Sequence, residues 1–154
     1  MKIMDMLKKE LIVEDLISKN KQDVLAELSE VLLTGSDIKL DTNVLVKVLL
    51  EREKLGSTGI GDGIAIPHGK IDGLADLIVA FGRSIEGIAF DAMDNRPVHI
   101  FFLLMAPENS AGVYLKTLAK LSKMLKDVEF RKTLMAAKTK DDLYDAIARK
   151  DEVC

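Results

Sequence analysis

The sequence of 154 residues has no tryptophan, one cysteine, two histidines and only 5% aromatic residues. The single cysteine, Cys154, excludes an internal disulfide framework, and we expect it to be a free thiol without a chemical role. His68 and His99 lie far apart in the sequence and leave no metal-ligand spacing with that cysteine, so we expect no metal ion and no cofactor. The scarcity of aromatic residues and a net charge of −3 argue against a nucleic-acid partner.

Long hydrophobic runs are absent as well. The most apolar segment, residues 98–106, is nine residues long and includes His99, whereas a membrane-spanning helix needs about 20 apolar residues. The N-terminus alternates charged and apolar residues too closely for a signal peptide. We therefore expect a cytoplasmic protein that is not embedded in a membrane, with a single domain over residues 1–154.

The spacing of apolar residues predicts alternating helices and strands. Helices are predicted at 21–33, capped by Asn20, at 41–54, opened by Asp41, and at 114–125, 128–137 and 141–149, the last capped by Thr139. Strands are predicted at 11–13, 64–66, 77–82 and 98–105, with a short edge piece at 88–90. The helix at 114–125 is expected to cover the sheet with one face that carries Leu115, Leu118, Leu121 and Leu125. The continuously apolar strand at 98–105 belongs at the centre of that sheet. The fold class is α/β (α+β), with a mixed β-sheet of about five strands and helices on both faces.

The stretch from Leu55 to Lys70 is the most unusual part of the chain. It carries glycines at positions 56, 59, 61 and 63. Glycine allows positive φ and lets backbone N–H groups approach a ligand closely, so these positions permit a phosphate-binding loop. A dinucleotide fingerprint would need glycine at 64 or 66, and a GxxxxGK[ST] loop would need glycine at 64 and a hydroxyl residue at 71. All three positions are isoleucine, so no nucleotide is predicted.

The same stretch ends in Pro67-His68-Gly69. Proline lacks an N–H and ends the pairing of the buried strand that precedes it, which predicts His68 at a strand end on the surface. Gly69 leaves no side chain beside the imidazole, and we expect this to make room for a partner. Asp62 is interpreted as a turn former and Lys70 as a solvated loop residue.

The run from Arg52 to Lys70, with Ala-Ile-Pro-His-Gly at 65–69, resembles the active-site signature of enzyme IIA of the phosphoenolpyruvate-dependent sugar phosphotransferase system, fructose/mannitol class (type 2). Segments 89–92, 97–99 and 106–108 fit the pattern of the same family, and the resemblance covers nearly the whole chain. A single domain with Gly-Ser-Thr-Gly-Ile-Gly before the signature looks most like the nitrogen-regulatory (PtsN-like) branch.

The resemblance implies a phosphoryl carrier. In the family, the histidine matched by His68 accepts a phosphoryl group from phospho-HPr or its nitrogen-branch relative, and in transport systems passes it to a cysteine of enzyme IIB. The regulatory branch implies a regulatory target protein instead. The chemistry of the residue agrees, because an imidazole with a reference pKa of about 6.5 is largely neutral near pH 7 and attacks phosphorus without a separate base.

Two further positions carry expectations from the resemblance. Arg52 matches the arginine beside the family's active site and would neutralise phosphoryl oxygens; the alternative is a helix C-terminal arginine that interacts with the helix dipole. Tyr114 stands at the family's second-histidine position. A phenol donates one hydrogen bond but does not become cationic near pH 7, which favours a regulatory role. His99, at the start of the predicted central strand, is expected to bond to backbone.

Three classes of function remain open. The first is a phosphoryl carrier, either PtsN-like and regulatory or, as the alternative, a fructose/mannitol-type enzyme IIA in sugar uptake. The second is a binding module whose partner docks around His68, with phosphorylation as a switch of affinity. The third, an acid/base or metal hydrolase, is the least supported, because no serine lies in a nucleophile-elbow motif.

Overall fold

The computed structural model describes residues 1–154 and contains six strands and five α-helices. The strands are β1 (Ile12–Val13), β2 (Gly59–Gly61), β3 (Ile64–Ala65), β4 (His68–Ile71), β5 (Ile78–Ile88) and β6 (Val98–Pro107). The helices are α1 (Lys21–Thr34), α2 (Thr42–Glu53), α3 (Ala111–Leu125), α4 (Val128–Ala136) and α5 (Lys140–Val153). None of these helices combines the length and the apolar character that crossing a membrane requires.

All six strands form one mixed sheet in the order β1-β5-β6-β3-β2, with β4 also paired to β6. Strand β6 is central: it runs antiparallel to β5 on one side and parallel to β3 and β4 on the other. The predicted mixed sheet is confirmed, with six strands instead of about five. The expected edge piece at 88–90 is not a separate strand, because β5 continues through Ile88.

The centre of the sheet is buried on both faces. Residues 100–106 of β6 are all buried, and consecutive side chains of a strand point to opposite faces. Phe101 packs edge-to-face on Phe90 and its neighbour Phe102 packs on Phe81, with ring centroids 5.4 and 5.0 Å apart. The prediction of a central strand covered by helices on both faces is therefore confirmed.

Helix beginnings follow the predicted caps. Asn20 accepts a hydrogen bond from Asp23 N at 2.9 Å, Asp41 from Asn43 N at 2.9 Å, and Thr139 from Asp142 N at 3.1 Å. Each of these bonds satisfies an N–H group that the first turn of a helix leaves without a partner.

Helix α3 differs from its prediction in its start and in its buried face. It begins at Ala111 instead of 114, and Leu115 is exposed, so the expectation that Leu115 is buried was wrong. The buried face runs through Tyr114, Leu121 and Leu125. The helix is thus rotated so that Tyr114 is buried in place of Leu115, while Leu121 and Leu125 keep their predicted burial.

The glycine-rich stretch forms a β-hairpin. Strands β2 and β3 are antiparallel, and the two residues between them, Asp62 and Gly63, have φ of 58° and 78°. A two-residue loop with positive φ at both positions is the type I′ turn that hairpins prefer, so Asp62 is a turn former. A Cβ on Gly59 would lie 2.8 Å from that of Ala92. Gly59 and Gly63 therefore serve the packing and the turn of the hairpin, and Gly56 lies outside it.

His68 lies at the beginning of a strand and not at the end of one. Strand β3 stops before Pro67, but Pro67 O accepts a hydrogen bond from Leu104 N at 2.9 Å, and pairing with β6 resumes at His68. Lys70 is consequently an exposed strand residue and not a loop residue. Gly69 faces inwards: a Cβ there would lie 2.7 Å from Val48 Cγ1. Its missing side chain lets α2 approach β4, and does not make room for a partner.

Candidate functional site

His68 is held by hydrogen bonds at both ring nitrogens. Nδ1 lies 2.6 Å from the carbonyl oxygen of Ile66, which only accepts, so Nδ1 carries the proton and donates it. Nε2 therefore keeps its lone pair, and Arg52 Nε donates to it from 3.3 Å. Both partners select the same neutral tautomer, in which the Nε2 lone pair faces Arg52.

The surroundings keep His68 neutral. Burial lowers the pKa of the imidazole below its usual 6.5, and the neighbouring Arg52 guanidinium lowers it further. The hydrogen bond to Ile66 and the Glu53 carboxylate act in the opposite direction without reversing the shift. An imidazole with a depressed pKa presents its nucleophilic form throughout the neutral pH range.

Arg52 reaches His68 from the last turn of α2. Its Nη1 donates to Gly56 O at 2.9 Å, and its Nε faces the imidazole. The carbonyl of Gly56 thus anchors one edge of the guanidinium while Nε remains at the ring. Arg52 also carries positive charge at the negative end of the α2 dipole, so both interpretations of this residue fit its position.

Tyr114 is the third residue at the site. Its ring lies edge-to-face with His68, with centroids 5.8 Å apart, and the ammonium of Lys70 lies 5.2 Å from the centroid of the Tyr114 ring. Burial raises the pKa of the phenol to about 12, so it remains neutral. The structure therefore brings together all three residues named from the sequence and adds Lys70 beside them.

Sequence reasoning missed a buried carboxylate behind the site. Glu53 accepts hydrogen bonds from Thr58 N at 3.2 and 3.3 Å and from Thr58 Oγ1, and pairs with Lys21 Nζ at 2.9 Å. Both charged side chains are largely buried. A glutamate in the last turn of a helix is typically exposed, and its partner Lys21 is distant in sequence, so the periodicity of apolar residues does not indicate this cluster.

His99 lies outside the site. Its Nδ1 is 2.9 Å from Ser84 O, near the start of β6, which is the expected bond to backbone. No group of three or more histidine, cysteine, aspartate or glutamate side chains is arranged to hold a metal ion.

His68 is half-buried at the surface, between Arg52 and Tyr114. None of these three side chains lines the cavity of about 570 Å³ between the N-terminal segment and residues 34–38 and 74–78, or the cavity of about 530 Å³ beside His99 and α4. A nucleophile at the surface suits a reaction whose substrate group arrives on another macromolecule.

Residues 5–150 match the model of the family described as phosphoenolpyruvate-dependent sugar phosphotransferase system, EIIA 2. A nitrogen regulatory protein of Bradyrhizobium diazoefficiens is 37% identical over 96% of this chain and 95% of its own length. The fructose-specific EIIABC component of Bacillus subtilis is 36% identical over 99% of this chain, which spans 24% of that longer protein. The crystal structure of nitrogen regulatory protein IIA-Ntr from Neisseria meningitidis superimposes with a TM-score of 0.88 at 34% identity, over 94% of this chain and 98% of that one. The chain therefore belongs to the type-2 EIIA family of the phosphoenolpyruvate-dependent sugar phosphotransferase system, with nitrogen regulatory proteins among its relatives.

Proposed function

We propose that this protein is a phosphoryl carrier that accepts a phosphoryl group on Nε2 of His68 from phospho-HPr or its nitrogen-branch relative. The observation that carries the proposal is the pair of hydrogen bonds on the imidazole: Nδ1–H donates to Ile66 O, and the Nε2 lone pair faces a guanidinium. A carrier needs a neutral imidazole with one defined nucleophilic nitrogen, and this arrangement supplies both.

The transfer step follows from this geometry. The Nε2 lone pair attacks the phosphorus of the donor's phosphohistidine; the new Nε2–P bond forms as the donor N–P bond breaks, and the donor nitrogen keeps that electron pair. No proton has to leave His68, because Nε2 carries none. Arg52 moves its Nε–H from the lone pair to the phosphoryl oxygens and stabilises their charge in the transition state. The Ile66 carbonyl holds the Nδ1 proton as positive charge develops on the ring.

Exposed apolar side chains lie close in sequence to Arg52 and Tyr114 and offer a docking surface to a protein partner. Leu55 follows Arg52 at the end of α2, and Val113 and Leu115 flank Tyr114 on α3; their exposed fractions are 83%, 47% and 64%. Apolar residues at the centre of a contact with charged groups beside them are the usual composition of transient interfaces. The same surface would serve the donor and the acceptor in turn.

The downstream role we propose is regulatory, in the manner of the PtsN-like branch, with a regulatory target protein as the partner. The neutral Tyr114 supports this role. It stands where the family has a second histidine, and it cannot supply the positive charge that such a histidine could supply during transfer to an acceptor cysteine. The alternative is a fructose/mannitol-type enzyme IIA that passes its phosphoryl group to an enzyme IIB cysteine in sugar uptake. The chain is 36% identical to a fructose-specific component and 37% identical to a nitrogen regulatory protein, so sequence identity favours the two roles equally.

Intact mass after incubation with phosphoenolpyruvate, enzyme I and HPr, or the nitrogen-branch relative, tests the carrier chemistry. We expect one acid-labile phosphoryl adduct on the wild type and on the His99→Gln control, and none on His68→Ala. Absence of an adduct on the wild type with either donor, or an adduct on His68→Ala, would refute the proposal. Loss of the wild-type adduct on adding a fructose-type enzyme IIB would favour the transport alternative.

A further inference from the structure

Hydrogen bonds, together with the backbone link between Arg52 and Glu53, connect the residues of the site in a closed path. His68 Nδ1 donates to Ile66 O at 2.6 Å, and Ile66 N donates to Thr58 O at 3.0 Å. Thr58 donates through its N–H and its hydroxyl to the Glu53 carboxylate. Glu53 is the sequence neighbour of Arg52, whose Nε returns to His68 Nε2 at 3.3 Å. Both nitrogens of His68 are therefore set by a path that passes through one buried carboxylate.

Glu53 is an unfavourable residue for stability at its position. It is 8% exposed, so its charge is largely desolvated, and it lies in the last turn of α2, where the helix dipole repels an anion. An exposed polar side chain at this helix end would avoid the free-energy cost of desolvating a charge. Local rules of this kind are broken mainly at functional sites, where another requirement fixes the residue.

The structure also provides Glu53 with more partners than neutralisation needs. Lys21, from the first turn of α1, pairs with one carboxylate oxygen at 2.9 Å and places its ammonium 4.9 Å from the centroid of the Phe90 ring. The N–H of Thr58 lies within hydrogen-bond distance of both carboxylate oxygens, and its hydroxyl donates to the oxygen that Lys21 does not contact. These bonds fix segment 54–58, and that segment contains Gly56, whose carbonyl anchors Arg52.

We propose that Glu53 is a positioning residue that holds Arg52 and the Nδ1–H tautomer of His68 through Thr58 and Ile66. Its effect on phosphoryl transfer rests on the proposed function, but its effect on the tautomer does not. Without the carboxylate, Thr58 loses its acceptors, segment 54–58 is released, and the Ile66 carbonyl no longer faces Nδ1 at a fixed distance. Both tautomers of His68 then become populated.

Glu53→Gln is the most direct test, because glutamine keeps the shape and replaces one acceptor oxygen by an NH₂ group that cannot accept from Thr58 or Lys21. In the ¹⁵N spectrum of histidine-labelled protein, we expect the wild type to show His68 as the Nδ1–H tautomer alone and Glu53→Gln to show a mixture. The rate of phosphoryl acceptance should fall about tenfold to a hundredfold, the scale of a small misplacement of reacting groups.

Two matched variants separate positioning from a general loss of structure. Glu51→Gln lies on the same helix, with its side chain 60% exposed and paired only with Lys54, and should keep the wild-type tautomer and rate. Thr58→Val removes the hydroxyl and should show the same mixture of tautomers as Glu53→Gln. Thr58→Ser keeps the hydroxyl and should show the single tautomer of the wild type.

A single Nδ1–H tautomer and a wild-type rate in Glu53→Gln would overturn the proposal. If Glu53→Gln does not fold, Thr58→Val decides: a mixed tautomer supports the role of Glu53, and a wild-type spectrum refutes it. A wild type that takes up no phosphate defeats the proposed function alone, because the tautomer is measured without any donor.

Discussion

At the scale of single residues, two side chains and one carbonyl define the chemistry. The carbonyl of Ile66 assigns the proton of His68 to Nδ1, and Arg52 faces the nitrogen that remains free. Resemblance supplied His68, Arg52 and Tyr114 from the sequence, because the signature residues lie in contiguous or recognisable segments. It did not supply the tautomer, which depends on a hydrogen bond from His68 to the backbone carbonyl of Ile66 that the residue types do not indicate.

The pKa of His68 gives a prediction at this scale. We expect the pKa of the His68 imidazole to lie below 6.5 in the wild type, mainly because the ring is buried. In Arg52→Gln we expect a higher pKa, because the positive charge that lowers it is removed. The wild type therefore keeps its neutral nucleophile to lower pH than the variant does. Titration of the imidazole by NMR measures both values; a lower value in Arg52→Gln than in the wild type would contradict the assignment.

Arg52 also has a predicted effect on rate. Loss of the guanidinium in Arg52→Gln should slow phosphoryl acceptance by about a hundredfold, the usual effect of removing one group that stabilises transition-state charge. Single-turnover kinetics with phospho-HPr measures this, and Lys54→Gln, an exposed neighbour beyond the helix end, is the control. An equal loss in both variants would point to general electrostatic attraction of the donor instead of a local contact.

At the scale of elements, the ends of helices were predictable and the ends of strands were not. The caps at Asn20, Asp41 and Thr139 each depend on residues two or three positions away, so the sequence contains all the information. The extent of β5 and the position of His68 at the start of β4 depend on pairing with β6, which is distant in sequence. The same reason explains Leu115: which face of α3 is buried is decided by the sheet.

Packing of α2 on β4 gives the prediction at this scale. Gly69→Ala places a methyl group 2.7 Å from Val48 Cγ1, so it should lower the free energy of unfolding by about 1–3 kcal/mol through overpacking. The double variant Gly69→Ala/Val48→Ala should recover part of this loss, because it removes the clashing methyl groups. Urea denaturation measures both; a Gly69→Ala protein as stable as the wild type would show that α2 is not held closely at this position.

At the scale of the whole molecule, a buried ion pair joins the two ends of the chain. Asp151 on α5 is 1% exposed, accepts from Met4 N at 3.0 Å and pairs with Lys120 of α3. Lys120 also donates to Met1 O at 2.8 Å. The N-terminal segment, α3 and α5 are therefore fixed to one another through one carboxylate and one ammonium, an arrangement that composition and periodicity do not indicate.

Removing this carboxylate should destabilise the fold. Asp151→Asn is expected to cost about 3 kcal/mol, since it leaves Lys120 buried without its partner. The adjacent Glu152→Gln, which removes an exposed pair with Lys2, should change stability by less than about 0.5 kcal/mol. Burial opposes ionisation of Asp151, but its hydrogen bonds from Lys120 and Met4 prevail and hold its pKa below the usual range.

The sign of the pH effect follows from that shift. The stability due to the Asp151 carboxylate is complete above the pKa of an unfolded aspartate, about 4, and is lost as pH falls through the lower folded pKa. The difference between wild type and Asp151→Asn should therefore shrink below pH 4. Denaturation at pH 7 and pH 3 measures it, and a difference that is equal at both values would contradict the assignment.

The proposed phosphoryl transfer depends on Nε2 of His68 as the nucleophile. The most direct test is ³¹P and ¹⁵N NMR of the phosphorylated protein labelled with ¹⁵N-histidine, in which the phosphorus couples to the nitrogen it is bonded to. We predict coupling to Nε2 of His68 alone, with the proton retained on Nδ1. Coupling to Nδ1 of His68, or to either nitrogen of His99, would contradict the account.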